Sequence, residues 1–164
     1  MILTGNELQE QNVVSNVLSP LQFQPCGVDL TLKEVHEFAS PGKIDYDNKE
    51  RELSQTKRII FPSDEWLHLP KGAYKIVYSE IVKIPADCCA LGFTRSSLLR
   101  CGASIECAVW DPGYEGRSES LLIVDNPQGI KLKKYSRVLQ LVFVKLTNHA
   151  KETYSGAYHK ENIG

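Results

Sequence analysis

The sequence predicts an all-β chain, folded as a distorted barrel or jelly roll with one or two short helices. Three observations predict it. Short stretches of alternating apolar and polar residues recur along the chain, with Pro and Gly between them. Helical periodicity is confined to two brief segments. The segment Val138–Val144 is apolar on both faces except for Gln140, which suits a strand buried in a sandwich or barrel.

Each element follows from its residues. Thr4-Gly5-Asn6-Glu7 reads as a capping box, with Thr at the N-cap and an acid three residues later, and it opens a short helix. Val28, Leu30 and Leu32 alternate with Asp29 and Thr31, which places Asp29 on the face opposite the apolar set. Strands are expected at Lys57–Phe61, Ala73–Tyr78 and Cys89–Phe93, punctuated by Pro62, Pro70-Lys71-Gly72 and Pro85. Ser96–Gly102 predicts a second short helix, with serines near its start and a glycine stop. Strands resume at Ser104–Trp110 and Glu119–Val124. Residues 41–56 are polar and suit a long surface loop. The organisation expected is a barrel domain over 1–146 and a mobile polar tail over 147–164.

Composition excludes several classes. A chain of 164 residues with 42% hydrophobic residues makes one domain with a real core. A net charge of −1 gives no global field for nucleic-acid polymers, so a polyanionic ligand must meet a local positive cluster. No apolar run is long enough for a membrane span, and the N-terminus lacks the pattern of a signal peptide. Five irregularly spaced cysteines form no Cys-x-x-Cys pair and read as free thiols of a reducing cytoplasm.

Four segments carry the candidate chemistry: Gln24–Leu30, Thr94–Arg100, Val109–Gly116 and Tyr135–Leu141. Ser96 and Ser97 stand where a helix begins, and unpaired N–H groups there suit phosphate oxygens. Arg95 adds a planar charged fork, although serines at such a position also simply cap helices. Asp111 precedes Pro112-Gly113, so the turn can hold a carboxylate ready to deprotonate a water, and the turn alone also favours Asp. Gln140 is the one polar side chain in its run and requires partners if buried.

In this order and spacing, Arg95-Ser96-Ser97, Asp111-Pro112-Gly113-Tyr114-x-Gly116 and Arg137-x-x-Gln140 resemble the dUTPase and dCTP deaminase superfamily, nearest to archaeal-type dUTPases. The resemblance implies a dUTPase-like β-clip and a homotrimer with active sites at subunit interfaces. It implies Mg²⁺-dependent hydrolysis of dUTP to dUMP and pyrophosphate, which removes dUTP and supplies dUMP for dTMP synthesis. It gives Asp111 the activation of water, and gives Arg95, Ser96, Ser97 and Gln140 the phosphates. Tyr114 would exclude a ribose 2′-hydroxyl. Main-chain groups over Ala108, Val109 and Trp110 would meet the uracil edge, and Gly116 would let backbone approach the ligand. Asp29 would help hold the water shell of the metal.

Departures from the family pattern matter. The deaminase branch needs a glutamate ten residues past the Asp, where this chain has Leu121, or Ile123 for a longer hairpin, while Glu119 is out of register. Hydrolysis is therefore the expected reaction. The alternatives are dCTP deamination, alone or beside hydrolysis, and a non-catalytic nucleotide-binding regulator on the same fold. Tyr135 replaces a glycine usual to the fourth motif, so a different local turn is expected. The tail, with Tyr154 and Tyr158, resembles that of the deaminase branch and is expected to act as a lid.

Overall fold

A computed structural model describes residues 1–163. The capping box forms as expected: Thr4 Oγ1 accepts from Glu7 N while Glu7 Oε2 accepts from Thr4 N, and helix α1 runs Gly5–Glu10. A short strand β1 (Val14–Ser15) and a 3-10 turn (Pro20–Gln22) follow. The remaining elements are β2 (Phe23–Gln24), β3 (Gly27–Phe38), β4 (Thr56–Ile59), β5 (Trp66–Leu69), β6 (Gly72–Tyr78), β7 (Ile81–Lys83), β8 (Cys88–Thr94), α2 (Ser96–Arg100), β9 (Ala103–Glu106), β10 (Glu115–Gly116), β11 (Glu119–Val124), β12 (Ile130–Lys133) and β13 (Arg137–Lys145).

The main sheet is antiparallel and ordered β8-β13-β3-β6-β11-β9, with β2 and β4 also paired to β3. Strand β3 is the corner of the structure. Its first half pairs with β13 and its second half with β6 and β4. Register shifts at Leu32/Glu34 and at Arg137/Leu139 let it bend between the two. The last strand, β9, returns to β8, where Thr94 Oγ1 accepts from Ile105 N at 2.8 Å and Ala90 bridges Trp110. The sheet thus curls into a nearly closed barrel, with strand and core residues such as Val28, Leu30, Ile76, Leu122 and Phe143 inside.

Three elements differ from expectation. In β13 only one face is buried: Leu139, Leu141 and Phe143 point inward, while Gln140, Val142 and Val144 are half-exposed on the outer face. The 41–56 segment is a hairpin arm, not a plain loop, because Lys43 and Glu52 exchange both backbone hydrogen bonds. Strands β5 and β12 pair in a separate two-stranded sheet that the pattern of turn signals did not mark.

Tyr135 adopts the left-handed conformation that glycine favours, with φ of 65°. Its N–H donates to Leu32 O at 2.7 Å, and Lys134 Nζ stands 4.9 Å from its ring centre.

Glu80 is wholly buried and accepts from Thr31 N, Thr31 Oγ1 and Gln22 Nε2, so it ties the 3-10 turn to β3. Burial raises its carboxyl above the ordinary glutamate value, against the lowering pull of Thr31 and Gln22. A raised acid binds its proton more tightly when folded. Its contribution is full below about 4.5 and is lost as pH rises through the folded value. The stability difference between wild type and Glu80→Gln should therefore shift against wild type as pH climbs from that point, measured by urea denaturation across pH. Phe143→Ala, at a fully buried site, should cost about 3–5 kcal/mol in the same assay.

Candidate active site

A cavity of about 610 Å³ opens beside the Asp-Pro-Gly turn, within the size range of nucleotide-scale ligand pockets. Asp111, Tyr114, Ala108 and Val109 line one side. The hairpin arm also supplies Gly42, Ile44, Leu53 and Ser54 to its lining, and the tail supplies Tyr154, Tyr158 and Glu161.

The turn is built tightly. Tyr114 N donates to Asp111 O at 3.1 Å, and Gly113 N donates to Ile84 O at 3.0 Å. Gly113 has φ of 83°, and a side chain there would also strike Thr153 of the tail. These bonds leave the Asp111 carboxylate exposed at the cavity mouth.

Tyr114 is buried at 5% exposure, yet reaches the cavity wall. Its hydroxyl lies 3.1 Å from Ser118 Oγ and donates to Glu161 Oε1 at 2.8 Å. Its ring meets Tyr154 edge-on, 5.7 Å between centres. Burial raises both the Tyr114 hydroxyl and the Glu161 carboxyl.

The main chain sorts the expected base contacts. Trp110 exchanges both backbone hydrogen bonds with Ala90, so its main-chain groups are taken, and its indole is buried against Ser118. Ala108 and Val109 make no backbone hydrogen bond among the described residues, so their N–H and C=O groups stay available at the cavity wall. A Cβ at Gly116 would meet the Tyr114 hydroxyl and Glu161 Cγ, so the glycine leaves room for both.

The other expected site residues lie outside this cavity. Ser96 and Ser97 are exposed, with Arg95 in the N-cap position and no side-chain cap. Neither serine hydroxyl makes a hydrogen bond among the described residues, so the serines are not spent on capping. Gln140 Nε2 donates to Cys26 O at 3.1 Å from the outer face of β13. Asp29 lies on the face opposite the apolar set of its strand, as alternation placed it. The outer face of β3 is covered here, and Asp29 is 1% exposed. Its Oδ2 lies 3.0 Å from Arg95 Nε and 3.3 Å from Arg137 Nη1. Burial pushes its carboxyl up, against the lowering pull of Arg95 and then Arg137.

Glu119, Lys75, Glu161 and Ser118 line the cavity without a motif to mark them. Glu119 shares the outward face of β11 with Leu121 and Ile123, two residues along the strand from the deaminase position. Its Oε1 accepts from Lys75 Nζ at 2.9 Å and Asn162 Nδ2 at 3.2 Å. Only a strand register could have placed Glu119 and Lys75 together.

The tail, expected to be mobile, is docked. Tyr154 N donates to Pro112 O, Lys160 N to Glu115 O, and Arg117 N to Glu161 O. Arg117 Nη1 donates to Asn162 O at 2.7 Å.

The structure defines the class as a nearly closed antiparallel β-barrel with an acid on a turn beside a ligand-sized cavity. The dCTP deaminase-like family model matches residues 2–146, and the chain belongs to this family. The chain is 46% identical over 170 residues to a probable deoxyuridine 5′-triphosphate nucleotidohydrolase of Methanosarcina mazei, covering 98% of each. It is 40% identical over 159 residues to the deoxyuridine 5′-triphosphate nucleotidohydrolase of Methanocaldococcus jannaschii, covering 96% of this chain and 98% of that one. Among solved structures, the 2′-deoxycytidine 5′-triphosphate deaminase of Agrobacterium tumefaciens shares the fold, with a TM-score of 0.64 at 22% identity. That match covers 87% of this chain and 48% of the deaminase, so this chain spans about half of that structure's length.

Asp29→Ala should leave Arg95 and Arg137 without their shared anchor. Because both arginines are partly exposed, the expected loss is about 2 kcal/mol, read as a lowered urea midpoint.

Proposed function

We propose that this chain hydrolyses dUTP to dUMP and pyrophosphate. The observation that carries this reading is the placement of Asp111 at the mouth of a cavity walled by Tyr114 and by the unpaired main-chain groups of Ala108 and Val109. Near-full-length similarity to curated dUTP nucleotidohydrolases supports the substrate.

The uracil edge would meet the free groups of Ala108 and Val109, and Tyr114 would lie against the deoxyribose. Asp111 takes a proton from water as its oxygen bonds to the α-phosphorus. The bond from that phosphorus to the bridging oxygen breaks, and pyrophosphate carries away the electron pair. Positioning and electrostatic stabilisation supply most of the acceleration.

Arg95, Ser96, Ser97 and Gln140 line no part of the Asp111 cavity, which supports their acting on the phosphates bound by a neighbouring copy. Around them lie exposed apolar side chains, Leu91, Phe93 and Leu99, with the half-exposed outer face of β13. Such a face suits burial against a second copy, and we assign a homotrimer with shared sites. Tyr154 and Tyr158 would cover the bound nucleotide.

Magnesium would neutralise and align the triphosphate. It binds through few protein oxygens together with substrate phosphates and water. Among the described residues no three His, Cys, Asp or Glu are grouped to cage an ion, which suits an ion arriving with the substrate. Asp29 would meet its water shell only from beneath the two arginines. No helix among the described residues is long and apolar enough to cross a membrane, and five free thiols suit a reducing cytoplasm.

A second reading, deamination of dCTP, rests on Glu119 lining the cavity. A pyrophosphate-release panel over dUTP, dCTP, dTTP and UTP, with and without Mg²⁺, tests the first reading, and ammonia release from dCTP tests the second. Asp111→Asn should keep nucleotide binding and lower turnover by about 10² or more. Turnover near wild type in that variant would remove Asp111 from its role.

A further inference from the structure

Four side chains from two parts of the chain form one hydrogen-bonded line. Trp110 Nε1 lies 2.6 Å from Ser118 Oγ, Ser118 Oγ 3.1 Å from Tyr114 Oη, and Tyr114 Oη 2.8 Å from Glu161 Oε1. Its direction follows from its ends. An indole N–H only donates, so Ser118 accepts there and its own proton is left for Tyr114. The Tyr114 proton then goes to the Glu161 carboxylate, which only accepts. Trp110, Ser118 and Tyr114 are all buried, so each link restricts the next group to one orientation. Gly116 leaves the space that the Tyr114 hydroxyl and Glu161 Cγ fill. The tail backbone holds Glu161 in place through Arg117 N and Lys160 N.

We propose that Glu161 is a positioning residue for sugar discrimination: through this relay it sets the orientation of Tyr114 and so the exclusion of a 2′-hydroxyl. The inference rests on the reading of Tyr114 as the wall against deoxyribose. Glu161 touches no reacting atom. It acts through Tyr114, so its removal changes which sugar is accepted more than how fast the preferred nucleotide reacts.

The test is kcat/KM for dUTP and for UTP in wild type, Glu161→Ala, Glu161→Gln, Ser118→Ala and Asn162→Ala. Glu161→Gln keeps an accepting oxygen and should keep the dUTP preference. Glu161→Ala and Ser118→Ala break the line at two places and should each reduce the dUTP/UTP ratio about tenfold or more. Asn162→Ala loosens the tail, since Asn162 Nδ2 bonds Arg117 O and Glu119, without touching the line, and should keep the ratio. An unchanged ratio in Glu161→Ala overturns the proposal. So does a fall confined to Glu161→Ala while Ser118→Ala keeps the wild-type ratio, because the relay would then not be the path. An equal fall in Asn162→Ala overturns it too, because tail docking alone would then account for the effect. If wild type hydrolyses no dUTP, the functional reading fails separately. The same variants are then compared by titration with dUMP and UMP, where an unchanged preference in Glu161→Ala overturns the relay.

Discussion

A single buried carboxylate, Asp29, organises the outer surface of the barrel. It sits on β3 beneath Arg95, at the head of α2, and Arg137, at the start of β13. Arg95 Nη1 also donates to the Arg137 carbonyl, and Arg137 Nη1 to the Leu21 carbonyl. Two strands, a helix start and the 3-10 turn are thereby joined through one ion cluster. Removing water from a charge is costly, and only paired, hydrogen-bonded partners offset that cost. The arginines keep their outer edges exposed, so the same residues are structurally fixed and open to an anionic ligand.

The cavity is acidic. Asp111, Glu52, Glu119 and Glu161 line it, and Lys75 is bonded to Glu119. A triphosphate cannot be neutralised by such a wall alone. The positive groups that could do so are set on another surface, around β8, α2 and β13. On the proposed reading, division of labour between these surfaces follows from charge: a carboxylate that activates water would keep its basic character best away from guanidinium groups, and assembly of copies would bring the two together around the substrate.

What the sequence made legible was local. The capping box at Thr4, strand β11, helix α2 and the Asp-Pro-Gly turn each depend on residues a few positions apart, and each stands where expected. What stayed hidden depends on partners far apart in the chain. Strand alternation put Asp29 opposite the apolar set, but could not say that two arginines cover it. The polar arm and tail carry no apolar period, so nothing marked the arm as a cavity wall or the tail as docked. Their order comes from backbone bonds, Lys43 to Glu52 and Tyr154 to Pro112. The outer face of β13 read as interior, because Val142 and Val144 are as apolar as the buried residues beside them, and sequence does not say which face the barrel closes over.

The junction of β8 and β9 has one more consequence. Elsewhere the barrel is closed by continuous ladders, but here one threonine side chain and one bridge hold the edges. Few backbone bonds must break for the edges to part, so amide hydrogens along Ala103–Glu106 that face β8 should exchange with solvent sooner than those of β3 and β13. The barrel therefore has a seam, and it runs between α2 and the 108–110 segment, so its least continuous closure borders both the exposed Ser96–Ser97 surface and the Asp111 cavity.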